Sequence, residues 1–152
     1  MLNKKAVVIA GLTLIILLVS FSSVIGATQR FTKINVFPKD LDGNVIRDSA
    51  NGWIKLNYGR YGYQIESRAI ELNRYTFYTL VYTEFDESSG EIAEVYCIDQ
   101  RKTNNLGNLK IKITEFRPVL SEINFWIVLS KDVNCVDHKM IAWNPVDYLF
   151  SE

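Results

Sequence analysis

The chain has 152 residues, 48% of them hydrophobic, and its 17 basic side chains balance 17 acidic ones. That length and apolar content suit one domain with a real core, and no internal repeat or low-complexity tract divides it. A formal charge of zero argues against a nucleic-acid partner and offers no net field for steering polyanions.

The N-terminus is the most telling region. Lys4 and Lys5 precede an apolar run from Ala6 to Val19, and a softer stretch of small residues follows. This is the three-part layout of a secretory signal over 1–26, with Val24 and Gly26 at the −3 and −1 positions and Ala27 as a second choice. Residues 6–27 are also free of charge and long enough to span a bilayer, so a retained anchor is the rival reading. Either way residues 27–152 are expected outside the cytoplasm, secreted or held at the membrane only through this segment. Removing Lys4 and Lys5 tips the mature part slightly negative.

From there the chain alternates. FTKINVF, WIKLNY and YGYQIES read as the first strands. RYTFYTLVYTEF is rich in β-branched and aromatic residues on both faces, and IAEVYCI follows it. LKIKITEF sets Leu109, Ile111 and Ile113 against Lys110, Lys112 and Thr114, a strand with one wet face. EINFWIVLS is apolar on both faces and reads as a central strand; MIAW and DYLF are short end pieces. DLDGN, SANG, ESSG and NNLGN supply turns, and Pro118 and Pro145 supply breaks. The result is an all-β domain over 27–152, a β-sandwich of about seven to nine strands, with a small closed barrel as the alternative.

Several residue groups invite chemistry. Cys135, His138 and Met140 supply thiolate, imidazole and thioether within one loop, the donor set of a small copper redox protein. Such a site needs a second histidine, and His138 is the chain's only one. A zinc site of Cys97, Cys135 and His138 has only Asp137 to complete it. The favoured reading pairs the chain's two cysteines in a Cys97–Cys135 disulfide, as an oxidising compartment allows. Closing that loop would stabilise the fold by about 4 kcal/mol on the chain-entropy account.

Asp40, Asp42 and Asn44 around Gly43 resemble part of a calcium loop, but Pro38 and Ser49 stand where its end carboxylates belong, so a plain turn is expected. Glu84, Asp86, Glu87 and Glu91, with Glu94, form an acidic hairpin and a weak calcium candidate. Tyr58, Arg60, Tyr61 and Tyr63 are the candidate binding face, since rings supply contact area at low entropic cost. The amide-rich turn from Asn104 to Asn108 sits well for a rim. No nucleophile elbow, glycine-rich phosphate loop or Ser–His–Asp context occurs, so no catalytic residue and no cofactor are assigned.

Leu72, followed by Tyr78 and Leu80, resembles the tyrosine corner of immunoglobulin-like and fibronectin type III-like domains, with Arg74 where those domains often carry proline. The resemblance implies an immunoglobulin-like sandwich and a structural role for Tyr78. The order of signal, Tyr-x-Leu strand, Cys, NNLGN, Trp-Ile-Val-Leu strand, Cys and WNPVDYLF also resembles small secreted proteins of methanogenic archaea with no assigned function. The function expected is a non-catalytic module that binds an envelope protein or glycan or acts structurally in the envelope. A copper-type redox protein built on Cys135, His138 and Met140 is the alternative.

Overall fold

The computed structural model describes residues 31–59, 62–85, 92–116 and 124–152. The segment expected to be a signal over 1–26, or an anchor over 6–27, lies outside them. Ten strands follow in chain order: β1 Phe31–Phe37, β2 Asn51–Gly59, β3 Gly62–Ile70, β4 Phe77–Phe85, β5 Ile92–Lys102, β6 Leu109–Phe116, β7 Asn124–Leu129, β8 Val133–Asn134, β9 Lys139–Met140 and β10 Leu149–Ser151. Eight form one antiparallel sheet in the order β5, β4, β7, β10, β1, β2, β3, β6, and β8 with β9 makes a small hairpin. The all-β expectation holds.

Alternation explains the first half of the sheet. Register aligns Ile34, Ile54, Ser67 and Ile111 in one cross-strand row. Val36, Gly52, Ala69 and Leu109 form a second row, and Thr32, Leu56, Ile65 and Ile113 a third. These rows face inward, and most of their apolar members are buried. Side chains between them point to solvent, as period-two patterning requires.

The second half is apolar on both faces. Leu80, Ile127 and Leu149 form an inner row, while Val81, Trp126 and Phe150 form an outer one. All six are buried. The outer row is buried because the chain after β7 returns over it. A 3-10 turn at Ser130–Asp132, the β8–β9 hairpin and the Trp143 loop make this cover.

The two halves meet at a narrow seam, where β1 and β10 pair through Val36 with Ser151 and Phe37 with Phe150. The strands at the ends of the sheet order, β5 and β6, are consecutive in sequence and joined by residues 103–108 alone. So short a connection makes the sheet fold back until its first and last strands meet, which closes one sandwich-like core. Gly107 makes the tight turn possible. Its φ is +76°, and a Cβ there would lie 2.2 Å from the Leu72 carbonyl oxygen.

Loop 71–76 is tied to that connection. The Asn73 N–H donates to Tyr78 Oη at 3.3 Å, and the Thr103 hydroxyl donates to the Asn73 carbonyl at 2.6 Å. Thr103 Oγ1 accepts from the Thr76 N–H at 2.9 Å. Burial pushes the Tyr78 phenol above its usual range.

Three local expectations change. RYTF does not open β4: Tyr75 has φ +53° and Thr76 is held by Thr103, so the strand starts at Phe77. MIAW gives only Met140 to a strand, because the Ile141 and Ala142 N–H groups turn to the Asp132 carbonyl. Gly52 of SANG lies within β2.

Ser67 is fully buried among aliphatic side chains, and its hydroxyl lacks a partner among the described residues. A buried, unsatisfied hydroxyl is costly. Ser67→Ala is therefore expected to raise stability by about 1 kcal/mol, read as a higher denaturant midpoint at unchanged slope. A lower midpoint would mean that the hydroxyl is satisfied.

Candidate functional site

The Cys135–Met140 segment forms the tip and second strand of the β8–β9 hairpin. Asn134 organises the turn: its Oδ1 accepts the N–H groups of Val136 at 2.9 Å and Asp137 at 3.1 Å, and its amide donates to Asp137 Oδ2 at 2.7 Å. His138 takes φ +52° and directs its carbonyl to the β5 edge, where the Val95 N–H donates to it at 2.9 Å. Cys135 is bonded to Cys97 on β5, with their Cα atoms 5.5 Å apart. The hairpin is thus stapled to an edge strand whose free N–H and C=O groups would otherwise invite foreign pairing.

The disulfide bears on the copper and zinc readings. Both sulfurs are in the disulfide, so neither supplies a thiolate. The His138 ring packs on Tyr96 at 4.7 Å between centroids, and Tyr96 stacks on Tyr82 at 4.8 Å. Among the described residues no group of three or more His, Cys, Asp or Glu side chains is placed to hold a metal.

The other candidates are placed as follows. Tyr58 and Tyr63 are direct partners across β2 and β3, while Arg60 and Tyr61 lie outside the described residues. Of the acidic hairpin, Glu84 pairs with Glu94 across β4 and β5; Asp86, Glu87 and Glu91 lie outside the described residues. Asp40 is committed to its own turn, accepting the N–H groups of Asp42 at 3.0 Å and Asn44 at 2.8 Å and the Asn44 amide at 3.1 Å. Those bonds, the Asn44 amide first, hold its carboxyl below the usual range. Asn104 does the same for its turn, taking the Leu106 and Asn108 N–H groups at 2.9 Å each.

The structure offers a different site. A cleft of about 350 Å³ opens beside Trp126, Trp143 and Phe150, with Phe85, Lys39 and Asn124 on its walls. Trp126 and Phe150 pair across β7 and β10 and are buried. Their rings meet edge to face at 5.1 Å, and Trp143 closes on them at 5.7 and 5.6 Å. Trp143 itself is 55% exposed, and Leu41 and Phe85 on the rim are also exposed. Lys39 Nζ stands 5.5 Å from the Phe150 ring.

Tyr148 anchors the loop beneath Trp143. Its hydroxyl donates to buried Asp132 at 2.8 Å, and the Ala142 carbonyl oxygen lies 3.1 Å from the same phenol oxygen. Burial, then the bond to Asp132, raises the Tyr148 phenol far above its usual value. Sequence reading missed this cleft. The available signal was Trp126 on the second face of a strand, with another tryptophan just before Pro145.

Two outcomes follow. Replacing both Cys97 and Cys135 by serine is expected to lower the unfolding free energy by up to about 4 kcal/mol, measured by denaturant titration; no loss would make the staple mechanically idle. Tyr96 donates to Glu94, which pushes its phenol from 10.0 up to about 12. Because the folded value is the higher one, this contribution is complete below pH 10.0 and vanishes as pH rises through about 12. Thermal melts should decline across that window, and less steeply in Tyr96→Phe; identical slopes would contradict the assignment.

No protein-family model matches the chain, and no curated protein and no solved structure matches it significantly.

Proposed function

We propose that the protein works outside the cytoplasm as a non-catalytic binding module of the cell envelope, and that the Trp143 cleft receives a sugar ring of a glycan partner. The exposed Trp143 face carries this reading. An indole left half in water on a loop braced from below is poorly explained by packing alone, and a ring is a natural platform for the apolar face of a pyranose. Asn124 and Ser151 place polar groups beside it, where ligand hydroxyls need partners.

The Cys97–Cys135 bond supports the compartment, since structural disulfides persist where thiols are oxidised. The sequence reading of a signal over 1–26, or an anchor over 6–27, is consistent with it. Binding is favoured over glycoside hydrolysis because that reaction needs a pair of carboxyl groups, and among the described residues lining the cleft Asp40 alone carries one, already engaged in its own turn.

The test is a glycan panel titrated against tryptophan fluorescence, on the full oxidised chain. At least one oligosaccharide should perturb the emission. Trp143→Ala should weaken its binding by about 2 kcal/mol, or roughly thirty-fold. Full affinity in that variant, or silence across the panel, would defeat the reading.

A further inference from the structure

A formal charge of zero conceals how the charges are arranged. On the outward face of β1, β2, β3 and β6, register lines up Lys33, Lys55, Glu66 and Lys112 in one row. Asn35, Trp53, Arg68 and Lys110 make the next. Five cations share these two rows with one carboxylate. Glu66 is already engaged by Arg68 at 3.1 Å and Lys110 at 3.9 Å. Among the described residues, no carboxylate lies within ion-pair distance of Lys33, Lys55 or Lys112.

An ordinary solvated face intersperses the two signs. Here Lys33 and Lys55 stand directly opposite each other, a pairing that destabilises a sheet. They part sideways onto rings, Lys33 Nζ lying 5.7 Å from Trp53 and Lys55 Nζ 4.6 Å from Phe31. Arg68 stands 5.6 Å from the same Trp53 ring. These contacts accommodate the repulsion without supplying an anion. The rows run across four strands, a platform about 15 Å wide at the usual strand spacing.

We propose that this face binds an anionic polysaccharide, a chain of sugars bearing repeated carboxylate or sulfate groups. Charge complementarity selects a polyanion, because cations at every strand meet a ligand whose charge also repeats. Trp53, held among Lys33 and Arg68, adds a ring at the centre of the face. The choice of a sugar polymer over nucleic acid rests on the extracytoplasmic compartment proposed for the protein; the surface is separate from the Trp143 cleft.

The experiment uses the full oxidised chain with labelled polygalacturonate, with neutral dextran, a thymidine oligonucleotide and phosphatidylglycerol vesicles as competitors. Polygalacturonate should bind and dextran should not, and affinity should fall about tenfold or more between about 50 and 200 mM salt. The double variant Lys33→Gln/Lys112→Gln should bind at least about fivefold more weakly, with a melting temperature no lower than the parent's. Lys131→Gln/Lys139→Gln, on the opposite half, should bind like the parent. Absence of salt-sensitive binding, an unaffected Lys33/Lys112 variant, or tighter binding of the oligonucleotide or the vesicles would overturn the proposal.

Discussion

The bond between Cys97 and Cys135 does more than shorten the unfolded chain. It fixes a covering segment to the sheet edge at β5, and that cover turns one face of β4 and β7 into interior. Val81, Trp126 and Phe150 would be a wet apolar strip without it. The His138 carbonyl, accepting from Val95, adds a directional contact at the same edge. From the staple the chain runs through Met140 to Trp143, and buried Asp132 with Tyr148 holds the far side of that run. The cleft is therefore a product of the cover, with its floor on the sheet and one wall on the stapled segment.

Apolar and charged chemistry are weighted differently along the sheet. In the β5, β4, β7 and β10 half, rings around Trp126 pack against one another and leave the Trp143 indole half in solvent, and Lys102 stands over Phe77 at the far end of β4 and β5. In the β1, β2, β3 and β6 half, rings are covered by cations: Lys33 and Arg68 at Trp53, Lys55 at Phe31. Near the seam the two styles meet, with Lys39 over Phe150 and Arg47 over Phe37. Long basic side chains lie their apolar stems along such surfaces while keeping the charge wet.

What sequence reading captured follows from what is local. LKIKITEF contains its own alternation, and β6 spans Leu109–Phe116 with those same bounds. Two cysteines leave one intramolecular pairing, and the structure contains it. Turn chemistry at Asp40 and Asn104 was equally local, since each side chain caps its own loop. The cleft was not legible, because Trp126 is covered by a residue on a later, irregular loop, and nothing in the periodicity of EINFWIVLS names its neighbour. The arrangement of charge was not legible for a related reason. Summation over the sequence cancels, whereas cross-strand register sets Lys33, Lys55 and Lys112 in one line. MIAW is apolar enough for a strand, yet the Asp132 carbonyl takes its N–H groups and ends the ladder.

The dependence of the cover on the staple is tested most directly by amide hydrogen exchange on the native protein, with the disulfide intact and then reduced. The account predicts that reduction raises exchange at the Val95, Ile141 and Ala142 amides, while amides in the paired interiors of β2 and β3 keep their protection. Equal protection of Val95, Ile141 and Ala142 in both states would show that the covering layer holds itself, and would contradict a bracing role for the Cys97–Cys135 bond.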